Sequence, residues 1–438
     1  MNKIRLFLFG LMSLGLVQVA FAHVGPGAKK ADTKRTVQFR GGDCAPATKQ
    51  IDQDINNVRA RLLNGGDVWW DTDDGRYIVP KVPPGQPEVS SLFAGAVWIG
   101  GIDPGGSLKL AAKAYGSGSG QTDFYPGPLN QFTGTTDRVT CANWDRFFKV
   151  LATEIEEHLS FVARAEKGEI TYTDDMIPAG VKGWPAKGNP YFLDVWNFEL
   201  PSTGQGLAGY FDAGPQNGIY DPLDGDFPVI EIIGCTDYSV EGIDPQFPDE
   251  MIFWIYNDAG GIHTESLADA IQMEIQVQTF AYATNDAINN MTFQRYKLIN
   301  RAVEDIRDCY FAMWADPDLG CYTDDYIGCD TTRSLMYVYN QDAVDGQTGS
   351  TCPGGVNTYG TEIPILGIDY FRGPRSPRKF CRDENDEIIF DEDGNKCLME
   401  VEIGTGEGDT LIELGMTSFT YQNRGVSEPP PATEDPQQ

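Results

Sequence analysis

The sequence predicts a mainly β protein, built as one or more antiparallel β-sandwiches with one amphipathic helix near residues 143–165. The first observation is the stretch "AIQMEIQVQT", residues 270–279, in which apolar and polar side chains alternate strictly. Such alternation predicts a strand with one face on a core and the other in water. The second observation is the scatter of 49 glycines and 27 prolines, which suits short strands joined by turns.

Further β-rich runs support a sandwich. They are "LFAGAVWIGG", "MIFWIYND", "MTFQRYKLIN", "CYFAMWAD" and "SLMYVYN". Many short strands at close spacing are typical of antiparallel sandwiches. The helix is predicted from apolar residues at three- and four-residue spacing, and we expect it to pack on a sheet. These residues are Trp144, Phe147, Phe148, Leu151, Ile155, Leu159 and Val162.

The N-terminus has the pattern of a secretory signal peptide. Lys3 and Arg5 precede an apolar core, and Ala20-Phe21-Ala22 forms an A-x-A cleavage signal. We therefore expect a signal peptide over 1–22, a flexible leader over 23–50, a β-rich region over 51–424 and a disordered acidic, proline-rich tail over 425–438. The β-rich region is either one large domain or two packed domains with a boundary near residue 200. After cleavage we expect no membrane insertion, and a secreted or cell-surface protein.

Charge and cysteine content narrow the function classes. The formal net charge of -31 disfavours nucleic acid and anionic membranes as partners and attracts divalent cations. Nine cysteines in an exported chain indicate disulfides, and the odd number leaves at least one outside an internal pair. No CxxC spacing occurs, so zinc or thioredoxin chemistry is disfavoured. The pairing of the cysteines stays open at this stage.

The stretch "WADPDLGCYTDDYIGCD", residues 314–330, carries five aspartates and two cysteines. Carboxylates are the hard oxygen donors that calcium prefers, and calcium accepts irregular loops. Gly320 and Gly328 permit tight turns, and Cys321 and Cys329 can bond to each other or elsewhere. We expect either a structural calcium site or a solvated acidic loop. The candidate ligands are Asp316, Asp318, Asp324, Asp325 and Asp330.

Two other acidic stretches are weaker candidates. "FDAGPQNGIYDPLDGDFP", residues 211–228, approaches the spacing of a calcium loop but breaks its order. Its candidate ligands are Asp221, Asp224 and Asp226. "DEDGNKCLMEVE", residues 391–402, has Lys396 where a calcium loop needs glycine, so a β-hairpin turn is the favoured interpretation there.

The sequence offers little support for catalysis. His158 is expected on a helix surface, and His263 in "GGIHTES" is either a candidate base or an exposed turn residue. G-x-S-x-G, H-E-x-x-H and P-loop patterns do not occur. We therefore expect a protein that is not an enzyme. The alternative is a secreted hydrolase that acts on polysaccharide through paired carboxylates.

The tryptophans offer a binding alternative. Trp69, Trp70 and Trp98 fit either a sugar-stacking platform or ordinary packing in the core and at its rim. Packing is the favoured interpretation, because tryptophan is mostly buried in folded proteins.

Several stretches together resemble a known group of proteins. They are "NNVRARLLNGGDVWWD", "SLFAGAVWIGGIDPGGSLKLAAKAYG", "DFYPGPL", "NGIYDPLDGDFP", "TNDAINNMTFQRYKLINR" and "WADPDLGCYTDDYIGCD". The chain is similar, from about Asn56 to Gln422, to large exported cell-surface proteins of Bacteroidetes-type bacteria. The resemblance implies an extracellular β-rich protein and a possible partner in the type IX secretion machinery. Members usually carry a C-terminal sorting domain, and the sequence ends at Gln438 without one, so a shortened version or a missing export signal is expected.

Together these features predict an exported, calcium-stabilised protein with a binding, adhesion or structural role. The expected partner is a glycan or another surface protein.

Overall fold

The structure is a computed structural model that describes residues 42–201, 207–230, 247–346, 352, 355–383, 387–390, 396–400 and 410–421. The predicted signal peptide, most of the leader, Cys235 and the acidic tail lie outside these residues. The described strands are β1 (Gln50–Gln53), β2 (Arg59–Leu63), β3 (Asp67–Val68), β4 (Tyr77–Ile78), β5 (Ala94–Ile102), β6 (Leu108–Ala111), β7 (Tyr125–Pro126), β8 (Phe148–Leu151), β9 (Tyr210–Phe211), β10 (Phe227–Pro228), β11 (Glu250–Asn257), β12 (Met273–Ala281), β13 (Phe293–Asn300), β14 (Arg307–Asp316), β15 (Asp325–Asp330), β16 (Leu335–Asn340), β17 (Leu366–Asp369), β18 (Arg375–Phe380), β19 (Leu398–Glu400) and β20 (Thr410–Glu413). The described α-helices are α1 (Gly116–Ser119), α2 (Arg138–Trp144), α3 (Ala152–Glu166), α4 (Ala179–Lys182) and α5 (Phe192–Trp196). The predicted mainly β, antiparallel class is confirmed.

Two large antiparallel sheets face each other. The first has the order β1-β2-β3-β5-β14, with β4 beside β2 and β6 beside β5. The second has the order β13-β12-β11-β7, with β8 also on β11. Their facing sides share one apolar core, to which β5 contributes Val97 and Ile99 and β11 contributes Trp254 and Tyr256. This is the sandwich that the strand patterns predict.

The second sheet is covered on its other side as well. Met251, Phe253 and Ile255 of β11 point away from the first core into a second one, which Trp184 and Phe192 of the helical region complete. All eight residues of β11 are buried. A central strand with apolar residues on both faces is what a layer enclosed between two others requires.

This third layer overturns the prediction that one face of β12 is wet. Glu274, Gln276 and Gln278 are each at most 2% exposed. Glu274 forms a buried ion pair with Arg301, with 3.1 Å between Arg301 Nε and Glu274 Oε2, and Gln276 Nε2 donates to Glu274 Oε1 at 2.7 Å. The alternation does predict the strand, but its polar side chains meet protein rather than water. Glu274 bonds to Arg301 and Gln276, and Gln278 Nε2 donates to the Val229 carbonyl at 3.1 Å.

The predicted helix over 143–165 is wrong in its first third. Trp144 ends α2, residues 148–151 form β8 on the edge of β11, and α3 begins at Ala152. Phe147 packs on the core between the sheets, whereas Phe148 lies in the second core. Adjacent apolar residues that face opposite cores are typical of a strand. The same residues also recur at three- and four-residue spacing, which is why the sequence predicts a helix here.

The prediction of disulfides is confirmed for six cysteines. Disulfides join Cys44 to Cys141, Cys321 to Cys352 and Cys381 to Cys397. Because Cys321 pairs with Cys352, it does not bond to Cys329. Disulfides fit an oxidising, extracellular environment.

Two further observations concern the described residues as a whole. They cluster as one compact unit. Among the described residues, no helix combines the length and the apolar character that crossing a membrane requires.

Candidate metal centre

The acidic loop predicted from the sequence connects two sheets. It leaves β14 at Asp316 and enters β15 at Asp325. Gly320 turns the chain at φ 74°, and an added Cβ there would lie 2.0 Å from Asp345 Oδ2. Both the backbone conformation and the close approach of Asp345 therefore require glycine at this position. The Cys321–Cys352 disulfide holds the same turn against the segment that follows β16.

Four aspartates form what we call the acid cluster: Asp318, Asp324, Asp325 and Asp345. Asp324 and Asp345 are only 4% and 2% exposed. A carboxylate oxygen of each lies within 4.8 Å of the other and of Cys321 Sγ. The sulfur belongs to a disulfide and offers no thiolate, so the donors that remain are oxygens.

Backbone amides position the carboxylates of the acid cluster. Asp345 Oδ1 accepts a hydrogen bond from the Cys321 amide at 2.8 Å, and Asp324 Oδ2 accepts one from Gly346 at 3.0 Å. Asp325 Oδ2 accepts from Leu319 at 2.9 Å. The Oδ1 atoms of Asp324 and Asp325 are buried and have no hydrogen-bond partner. Buried carboxylate oxygens without a donor are costly, and a bound cation removes that cost.

The electrostatics of the acid cluster point the same way. Burial and the neighbouring charges of Asp324, Asp345 and Asp318 raise the pKa of Asp325 to about 8. Burial, with the charge of Asp324, also raises the pKa of Asp345. Within the described part of the chain, no lysine or arginine forms an ion pair with Asp324, Asp325 or Asp345. The described residues around the acid cluster thus supply negative charge and oxygen donors without a lysine or arginine to pair with them.

The remaining candidates from this loop lie elsewhere. Asp316 Oδ2 accepts a hydrogen bond from the Tyr115 hydroxyl at 2.5 Å. Asp330 lies at the opposite end of β15 from Asp325 and pairs with Arg333. Hydrogen bonds from Thr332 and Arg333 lower the pKa of Asp330 to about 2. The structure therefore brings together Asp318, Asp324 and Asp325, but it gives Asp316 and Asp330 partners of their own.

The second acidic stretch is organised by its own backbone. Asp226 is fully buried, and its two oxygens accept from the amides of Ala213 at 2.8 Å and Asp221 at 2.9 Å. Asp221 caps a short 3-10 turn at Pro222–Asp224 through the Leu223 amide. Backbone N–H groups thus already provide the positive partners that Asp221 and Asp226 need.

Asp224 is the third candidate ligand of this stretch. It is exposed at the end of the same 3-10 turn. In the third stretch, Phe390 and Lys396 pair across an antiparallel bridge, as the hairpin interpretation predicts, and residues 391–395 lie outside the described residues.

Asp345 is the member of the acid cluster that sequence reasoning missed. It lies in "QDAVDGQTG", where the density of acids is ordinary. Its neighbour in the fold is 21 residues away in sequence, at Asp324. The Cys321–Cys352 pairing was the signal that would have found it, because this disulfide draws the two segments together.

The two histidines among the described residues, His158 and His263, are both buried. His158 was predicted on the surface, and this is wrong: it is fully buried, and burial lowers its pKa to about 4. His263 is also buried, with its ring nitrogens 2.8 Å from the Leu110 carbonyl and 2.6 Å from the Asp258 carbonyl. Both ring nitrogens of His263 thus lie against backbone carbonyls inside the fold.

The adjacent tryptophans are packing residues. Trp69 is 5% exposed in the core between the sheets, and Trp70 is 3% exposed in a smaller cluster with Leu63 and Ala94. Trp98 is half-buried and stacks on Trp314 with ring centroids 6.0 Å apart. The interpretation as core and rim packing is confirmed for Trp69 and Trp70.

No protein-family model, curated protein or solved structure matches the chain.

Proposed function

We propose that the protein is an exported, calcium-stabilised protein with a binding or structural role outside the cell. The observation that carries the proposal is the acid cluster, in which Asp324 and Asp325 each present a buried oxygen without a partner. Two or more carboxylates in an irregular loop, without a thiolate or an imidazole, favour calcium over zinc. Magnesium is a poorer match, because it demands near-octahedral geometry and keeps its waters.

The position of the acid cluster supports a structural role for the cation. Gly320 donates to the Ser90 carbonyl at 2.9 Å, and the Tyr359 hydroxyl donates to the Val79 carbonyl at 2.9 Å. The loops around the acid cluster are therefore hydrogen-bonded to segments next to the first sheet. A cation held by Asp324 and Asp345 would tie the small sheet β15-β16-β17 to the sandwich.

The same geometry weighs against the hydrolase alternative. A glycosidase needs an acid and a second carboxylate facing an open cleft. Asp324 and Asp345 are instead buried and accept hydrogen bonds from backbone amides. The extracellular part of the proposal is supported by the three disulfides. Mass spectrometry of the secreted protein should find a mature N-terminus at His23.

Metal analysis and calorimetry test the cation. We expect the purified protein to retain calcium, and the chelated protein to bind calcium more tightly than magnesium in a titration. Asp345→Asn should abolish this binding, because it removes one charge from the cage and leaves an amide nitrogen beside the cation. Asp224→Asn, an exposed acid of the second stretch, serves as the control and should bind calcium normally. Equal binding by Asp345→Asn and the wild type would contradict the proposal.

A further inference from the structure

Lys113 and Glu265 form a buried pair that the proposed function does not use. Lys113 follows β6 of the first sheet, and its side chain is 2% exposed. Glu265 lies between β11 and β12 of the second sheet, and its side chain is 15% exposed. Lys113 Nζ lies 3.7 Å from Glu265 Oε2, which is too far for a hydrogen bond. An amine and a carboxyl group thus meet inside the fold, and they come from segments that belong to different sheets.

The two oxygens of the Glu265 carboxyl group have different surroundings. Oε1 accepts hydrogen bonds from the amides of Ala114 at 2.5 Å and Gly116 at 3.2 Å. Oε2, the oxygen beside Lys113, is buried and has no hydrogen-bond partner among the described residues. Buried acceptors without a donor are rare in native proteins. The position of Oε2 next to an amine that does not bond to it therefore requires an explanation.

The surroundings of this pair disfavour charge. Burial, with the nearby charge of Asp123, raises the pKa of Glu265. Asp123 is fully buried, and its Oδ1 accepts a hydrogen bond from the Glu265 amide at 3.0 Å. Lys113 Nζ donates to the Gln121 carbonyl at 2.8 Å rather than to the carboxylate. A buried ion pair in this geometry regains little of the free energy that removing two charges from water costs, whereas a neutral amide at the same place carries no charge to desolvate.

We propose that Lys113 and Glu265 form an intramolecular isopeptide bond. A bond forms between Lys113 Nζ and the Glu265 carboxyl carbon, and the bond from this carbon to Oε2 breaks. Oε2 leaves with two protons of the ammonium as one water molecule, so the step needs no oxidant, reductant or co-reactant. The fold holds the amine beside the carboxyl group, and the amides of Ala114 and Gly116 stabilise the negative charge that Oε1 takes in the tetrahedral intermediate.

The isopeptide bond is a covalent link between the two sheets of the sandwich. It joins the segment after β6 to the connection between β11 and β12. Such a link reduces the conformational entropy of the unfolded chain as a disulfide does, but a thiol reductant does not break it. The bond goes beyond the proposed function and does not depend on the cation, because neither residue belongs to the acid cluster.

Intact-mass spectrometry of the reduced, denatured full chain tests the isopeptide bond. The wild type should be lighter by one water molecule than the mass calculated from its determined chain ends. Lys113→Met should have its full calculated mass, whereas Lys109→Met should lack one water like the wild type. Lys109 is the matched control, because it lies 3.5 Å from Oδ2 of Asp269, whose side chain is 53% exposed. A wild type of full mass overturns the proposal, and so does a folded Lys113→Met variant that still lacks one water.

Peptide mapping of the wild type locates the bond and needs no variant. Trypsin should cleave the denatured chain after Lys109 but not after Lys113, because an acylated lysine carries no positive charge. A branched peptide should contain both Lys113 and Glu265. Complete cleavage after Lys113 would contradict the proposal, and so would a branched peptide that joins Lys113 to a residue other than Glu265. Both results are independent of calcium, so they leave the test of the acid cluster unaffected.

Discussion

Neutralising one acid of the cluster should have opposite consequences with and without calcium. In Asp324→Asn the side-chain oxygen can still accept from the Gly346 amide, which lies 3.0 Å from Asp324 Oδ2. The amide nitrogen then replaces the oxygen that has no partner. We expect the chelated variant to be more stable than the chelated wild type, and the variant to lose the calcium response.

The magnitude follows from the separation of the charges. The ligand oxygens of Asp324 and Asp345 lie within 4.8 Å of each other. At an effective dielectric constant of about 20, two unit charges 4.8 Å apart repel by about 3.5 kcal/mol, which sets the scale of the gain in the chelated variant. The wild type should in turn gain about 2.7 kcal/mol from calcium at a hundred times its Kd, and the variant should gain nothing.

Urea unfolding, with the disulfides intact, measures both effects. Asp330→Asn is the matched control: it lies in the same stretch but pairs with the exposed Arg333, so its calcium response should equal that of the wild type. The reasoning is refuted if calcium leaves the unfolding of the wild type unchanged. A second result would also refute the reasoning, namely an Asp324→Asn variant that is less stable than the wild type in chelator. The charge of Asp324 would then be compensated in the metal-free fold of the wild type.

Three other predictions follow from described contacts. Because the pKa of Asp325 is about 8 in the metal-free fold against an ordinary 3.8, the folded protein keeps a proton between these values that the unfolded chain has released. The contribution of this protonated carboxyl to stability is fully present below pH 3.8 and is lost as the pH rises toward 8. Urea unfolding in chelator across this pH range should show the loss. Calcium should reduce it. Replacing Cys321 and Cys352 together by serine opens a bond between residues 31 apart and should cost about 3 to 4 kcal/mol in the same assay, with weaker calcium binding by calorimetry. Arg301→Met leaves Glu274 buried without its ion pair and should cost about 3 to 5 kcal/mol, whereas Arg301→Met combined with Glu274→Met should recover much of that loss.

The sequence predicted the secondary structure of individual segments better than it predicted the layers that pack on them. The alternation around Ile275 predicts a strand, because the side-chain period of two is a local property. Whether Gln276 meets water or protein depends on a third layer that is built from helices about 100 residues earlier in the chain. The apolar run around Phe147 and Phe148 fits both the helical period of 3.6 residues and the strand period of two. Residues 148–151 form a strand because they pair with β11.

The acid cluster shows the same limit. Asp318, Asp324 and Asp325 were found because they are crowded within one short loop. Asp345 was not found, since its proximity is created by a disulfide and by the return of the chain from β16. Asp330 is as crowded in sequence as the others, but a strand of six residues carries it to the far end of β15. Local density of charge therefore predicts the kind of site, whereas the tertiary fold decides its members.

The buried polar side chains on one face of β12, which we call the polar row, are Glu274, Gln276 and Gln278. They restrict the register in which β12 can pair with β11. A slip of β12 by one residue against β11 would exchange its two faces. Glu274 would then enter an apolar core without Arg301, and Ile275 would take the place of a carboxylate that Arg301 and the Leu129 amide require. An all-apolar strand between two apolar layers would tolerate such misalignment at little cost. The polar row therefore penalises any slip by an odd number of residues, and it favours the alignment of the middle sheet in which Glu274 meets Arg301.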